Sequence, residues 1–189
     1  MDSELKERGF LAAQESPGSW LVRAINLRAA ADRLDPLKYP PGDDEPLSFS
    51  SEYQFLFGLA FENLLKGFIS LVRLESRLTP ALPVKCHIHR LEILAIRPEC
   101  AQLALTTEEL GTLSRLSAYI TWAGRYPIPK RSPEMVALHH GSREHKSEKG
   151  LWDRVMPLLY TRAWVMKGGP KSMGGYKLYI ERGPSSNLS

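Results

Sequence analysis

The sequence predicts an all-α protein: an antiparallel bundle of about five helices, with a long loop after the first helix and a flexible C-terminal tail. Three observations predict it. Apolar residues recur at helical spacing from Trp20 to Leu34 and from Leu110 to Ile120. The run Tyr53 to Val72 is apolar on nearly all sides, as the central helix of a bundle is. Strand signals are nearly absent. A weak alternation at Tyr176-Lys177-Leu178-Tyr179-Ile180 is read as part of a frayed tail.

The elements follow in order. Ser16-Pro17 is a helix start, with Ser capping and Pro in the first turn. Trp20, Leu21, Ala24, Leu27, Ala31 and Leu34 mark the buried face, and the helix ends before Pro36. Asp35 to Ser50 carries Pro36, Pro40, Pro41, Gly42 and Pro46 and reads as a long loop. Ser50 or Ser51 opens the second helix, on which Gly58, Glu62 and Lys66 share one face four residues apart. Glu62 precedes Lys66 in the favourable i,i+4 orientation. Burying either charge alone would be costly, so the two should be paired, solvated or functional.

Pro80 and Pro83 break the chain, and His89 to Ile96 is a short helical turn. Thr106-Thr107-Glu108-Glu109 is a capping box opening a helix that runs to about Ala123, where Gly124 permits a reversal. The last helix is expected from roughly Lys146 to Met166, with a kink or boundary at Pro157. Residues 1–166 thus form the bundle, and 167–189 a Gly/Pro-rich tail.

With 189 residues, 43% hydrophobic and 24% charged, the chain has an ordinary globular balance. That excludes wholesale disorder and a fibrous protein. A net charge of +4 is modest for a dedicated nucleic-acid binder. The charge is unevenly spread, however. Residues 1–120 carry 13 basic and 16 acidic side chains, and residues 121–189 carry 12 and 5. A basic last third is either a phosphate-facing surface or a solvated, solubilising one. No window is expected to reach membrane-span length, because Glu62, Asn63 and Lys66 interrupt the closest one. With no secretory pattern at the N-terminus, a cytoplasmic protein with reduced thiols and no membrane contact is expected.

Cys86 and Cys100 lack disulfide-framework or zinc spacing. His87 and His89 form an H-x-H pair that Glu62 could complete as a metal site only if folding brought it there. His139, His140, Glu144 and His145 read as a polar loop. The preferred reading has no metal and no cofactor. No G-x-S-x-G or phosphate-cradling glycine loop occurs. The segment Trp122-Ala123-Gly124-Arg125-Tyr126-Pro127-Ile128-Pro129-Lys130-Arg131 is more distinctive. It joins a helix end to a proline-stiffened stretch with three cations and aromatics, suited to holding phosphate and stacking a base, or to closing the helix and packing the loop.

The run Phe57-Gly58-Leu59-Ala60-Phe61-Glu62-Asn63-Leu64-Leu65-Lys66-Gly67 resembles the A-x-E-x-x-L-K helix of HEPN-like (higher-eukaryote and prokaryote nucleotide-binding) proteins. His89-Arg90-Leu91-Glu92-Ile93-Leu94-Ala95 resembles the turn that follows it. Trp122 to Pro127 is similar to a W-x-G-R-Y-P segment of uncharacterised bacterial members. The resemblance spans about Trp20 to Lys130.

It implies a helical, frequently homodimeric protein that binds or processes RNA or nucleotides, in a toxin–antitoxin or phage-defence setting with an antitoxin or defence partner. It implies Glu62, Lys66, His89 and Arg125 as candidate catalytic residues. Trp122, Arg125, Tyr126, Lys130, Arg131, His139 and His140 are candidate contacts to RNA or phosphate. The ribonuclease signature of the family, R-x(4–6)-H, is absent. The nearest spacing, Arg131 to His139, has seven residues between. Enzyme status therefore stays open, and a non-catalytic dimerisation module is the alternative. A buried polar network fixing helix packing is the other reading of the four candidate catalytic residues.

Overall fold

The first helix begins where a proline can begin one. In the computed structural model, which describes residues 16–38, 49–76, 78, 82–123, 141–162, 165–166 and 178–179, helix α1 spans Pro17–Arg33. Pro17 sits where its missing amide has no intrahelical partner to lose. Ser16 holds the capping position, but its side chain makes no cap hydrogen bond, contrary to expectation. Its carbonyl instead accepts from the amides of Ser19 and Trp20 at 3.0 and 3.3 Å. After α1 the Asp35 carboxylate accepts from the Leu37 amide (3.0 Å), an Asx turn that diverts the chain at Pro36.

Helix α2, Ser50–Glu75, has 26 residues and is about 39 Å long at 1.5 Å per residue. By length and composition it is apolar enough to cross a membrane, which the sequence reading did not expect of any window. Yet 72% of that apolar stretch is buried inside the chain, which gives it the role of a core helix. Every other described helix packs against it. Its rings form the centre of the core. Tyr53 stacks on Phe57 at 5.6 Å, Phe57 meets Phe61 edge-on at 5.2 Å, and Trp152 packs on both. Gly58, read in the sequence as part of a polar face, serves close approach. A Cβ there would lie 2.7 Å from Ile120 Cγ2 and 3.2 Å from the Leu116 carbonyl.

A 3₁₀ turn at Val84–Cys86 leads into the short helix α3, Leu91–Ala95. The Arg90 side chain does not cap α3. That job falls to Ser117 of the next long helix, whose hydroxyl accepts from the Leu91 amide at 2.8 Å and lies 2.7 Å from Glu92 Oε2. A second 3₁₀ segment, Pro98–Leu103, ends at Ala104 in the left-handed conformation (φ 45°). Helix α4, Thr107–Ala118, opens on the expected capping box. The Thr106 hydroxyl accepts from the Glu109 amide (3.2 Å), and the Glu109 carboxylate accepts from the Thr106 amide (2.8 Å). Its last turn, Tyr119–Ala123, widens to a π-helix where the Thr121 hydroxyl donates back to the Ser117 carbonyl.

Helix α5 spans Ser142–Tyr160, which corrects the expected range at both ends. It starts earlier because the Glu144 carboxylate accepts from the Gly141 amide (3.0 Å), tying down the first turn. Pro157 lies inside the helix, close to its end, and its carbonyl accepts from both the amide and the hydroxyl of Thr161. Arg154 on Glu109 and Arg115 on Glu148 show that α4 and α5 run antiparallel.

Beyond α5, Val165–Met166 pairs antiparallel with Leu178–Tyr179. This two-residue pair falls where the sequence reading placed a helix end and a frayed tail. The rest of the expected tail, and residues 39–48 of the expected loop, lie outside the described residues. The described helices make the class all-α.

Candidate functional site

Helical periodicity puts Glu62 and Lys66 one turn apart on the same face of α2, and the fold turns that face inward. Glu62 is 5% exposed and Lys66 8%. Lys66 Nζ donates to Glu62 Oε1 at 2.6 Å. The bend before α3 brings His89 Nδ1 to 2.8 Å from Glu62 Oε2. Each carboxylate oxygen thus has its own donor, which offsets the desolvation of a buried charge. A carboxylate only accepts, so Nδ1 carries a ring proton toward Glu62. The His89 side chain is 49% exposed, so the cluster is sealed at its α2 end and open at the imidazole. Lys66 Nζ also stands 5.8 Å from the Trp20 ring centroid, a cation–π contact from α1.

Glu62, Lys66 and His89 are therefore brought together, as the sequence suggested. Trp122 is half-buried on the π turn. Arg125, Tyr126, Lys130, Arg131, His139 and His140 lie outside the described residues. His145, read as part of a polar loop, is instead buried within α5. It stacks on Tyr53 at 5.4 Å, with Nε2 3.3 Å from Asp35 Oδ2.

The cysteines offer no nucleophile. Both are buried, burial raises the Cys86 thiol, and burial pushes Cys100 up to about 12. Among the described residues no three His, Cys, Asp or Glu side chains converge to hold a metal ion, so the pairing of His87 and His89 with Glu62 as a ligand set is not formed.

Sequence reasoning missed a second polar cluster on α2. Gln54 Nε2 donates to Glu148 Oε2 (3.0 Å), Arg115 Nη2 to Glu148 Oε1 (2.5 Å), and Arg115 Nη1 to Gln54 Oε1 (3.1 Å). Glu148 is fully buried, and burial raises its carboxyl despite the pull of Arg115 and Gln54. Nothing local signals this cluster, since its members come from α2, α4 and α5.

The fold and the open cluster define an all-α protein with a histidine oriented by a buried carboxylate. The chain matches no known protein family, no curated protein and no solved structure.

Proposed function

We propose that the chain is a HEPN-like protein that binds or processes RNA or nucleotides, in the cytoplasm of a prokaryote and in a toxin–antitoxin or phage-defence setting. One observation carries the reading: a half-exposed imidazole is held through Nδ1 by a buried carboxylate that a lysine clamps from the other side. That arrangement fixes the tautomer and turns Nε2 to solvent as a proton acceptor. In this reading His89 takes the proton of a ribose 2′-hydroxyl as that oxygen attacks the neighbouring phosphorus. The proton then returns to the departing 5′-oxygen, so no metal enters the balance. Glu62 and Lys66 position the ring, and Arg125 is the expected phosphate contact.

The test is RNA cleavage and salt-dependent RNA binding by the wild type beside His89→Gln and Glu62→Gln, with melting by circular dichroism. Cleavage falling about 10²-fold or more in a folded His89→Gln supports the reading. No cleavage and no RNA binding at low ionic strength by the wild type overturns it.

A second reading, a homodimerising module without chemistry, is favoured by exposed apolar side chains. Leu74 lies in the last turn of α2 and Leu78 just beyond it (37% and 53% exposed), and Ile96 (64%) precedes Arg97. Arg97 binds Glu99, which Arg73 of α2 approaches at 3.9 Å, so the end of α2 and the segment after α3 lie side by side. A dimer in light scattering that becomes a monomer in Ile96→Glu supports it; a wild-type monomer rejects it.

A further inference from the structure

Between the start of α5 and the outer face of α4 lies an open polar cleft of about 220 Å³. It is separate from the Glu62–His89 cluster. Its floor is Arg115, which the buried Glu148 and Gln54 hold through two of its five N–H groups. The other three have no partner among the described residues, and the side chain keeps 18% of its surface exposed. Arg143 lines the same cleft and makes no hydrogen bond or ion pair among the described residues.

Two carboxylates face these cations. Glu144 is held on the Gly141 amide; backbone N–H groups and the nearby arginines keep it below the usual carboxylate range, so it is ionised at neutral pH. Glu108 stands on the α4 wall, exposed, with no side-chain partner among the described residues. The wall between is Gly111, and a Cβ built there meets nothing within 4 Å. A mid-helix glycine weakens a helix by about 1 kcal/mol relative to alanine, and here no packing neighbour requires one. Its absent side chain leaves the cleft open.

The charge count sets the ligand. Arg115 is already balanced by Glu148, and Glu108 and Glu144 line the cleft along with Arg143, so a compact dianion such as phosphate would meet net repulsion. A ligand carrying one oxyanion and one ammonium group meets both. At about 220 Å³ the cleft is smaller than the roughly 300–1,000 Å³ of drug-sized pockets. We propose that this cleft binds a small zwitterion of the α-amino-acid class, its carboxylate on the fork of Arg115 and on Arg143, its ammonium toward Glu108. Buried Glu148 and Gln54 are the positioning residues that hold the fork in place.

The experiment is titration of the full chain, followed by amide chemical shifts of Gly111 and Ser147. The probes are glycine, L-glutamate, L-lysine and L-phenylalanine, with acetate, methylammonium and inorganic phosphate as controls. Saturable shifts are expected with at least one amino acid and at least tenfold weaker ones with each control. Arg115→Lys keeps the charge and loses the fork, and should weaken binding at least tenfold. Gly111→Leu fills the cleft without disturbing its supports and should abolish the shifts at Ser147 while the fold holds. No saturable shift with any amino acid overturns the proposal, as does phosphate binding as well as the amino acids, or Gly111→Leu binding like the wild type.

Discussion

Helix α2 carries two buried polar clusters built from the same parts, a carboxylate, a cation and a third polar group, and they differ in one respect. At Glu62 the third group, His89, is half-exposed. At Glu148 the carboxylate is wholly buried and its cation, Arg115, shows only a sliver of surface. The first cluster can exchange a proton with something outside. The second holds three helices together and passes its remaining donors to the neighbouring cleft. A buried ion pair is thus not one kind of object. What decides its use is whether the member that reaches water can exchange a proton, as an imidazole can and a guanidinium cannot.

The largest expected effect tests the sealed end. Arg115→Met leaves Glu148 buried without its cation and should destabilise the fold by about 3–5 kcal/mol in denaturant melts. If the loss is below that of the matched change Lys66→Met in the Glu62 cluster, the contrast between the two clusters fails. Next is the approach of α2 to α4. Gly58→Ala forces a methyl group against Ile120 and should cost about 1–3 kcal/mol. The open end should be cheaper. His89→Gln removes one partly solvated hydrogen bond and should lower stability by about 1 kcal/mol while removing any proton-transfer activity.

The smallest effect is a slope. Burial lowers the affinity of His145 for a proton, against the opposing charge of Asp35. Within the folded chain the ring resists charging, whereas in the unfolded chain it charges near 6.5. Its contribution is therefore fully present above that pH and is lost as pH falls below it. His145→Gln should flatten the dependence of the melting temperature on pH as pH falls below about 6.5. An unchanged slope would mean His145 is not sealed.

What the sequence disclosed follows the range of the interactions. The capping box at Thr106 and Glu109 spans three residues, and the Glu62–Lys66 pair spans four, so pattern alone located both. His89 on Glu62 bridges 27 positions, and only the resemblance to HEPN-like proteins set the two residues side by side. The Gln54–Arg115–Glu148 cluster joins residues 94, 61 and 33 apart, and each member by itself looks like an ordinary surface residue. The early start of α5 was hidden for the same reason. Ser142 to Glu148 is polar in composition, and only burial of His145 against Asp35 and of Glu148 against Arg115 makes it a helical first turn with an inward face. The π turn at the end of α4 was not legible either: there the Thr121 hydroxyl donates back to the Ser117 carbonyl, and Ile120 packs on Gly58 of another helix.

The hydroxyl of Ser117 gives the molecule a built-in clock. The Leu91 amide hydrogen is held by a group on another helix, so it can trade places with solvent deuterium only when α4 lifts from α3. That one exchange rate times the separation of the two helices.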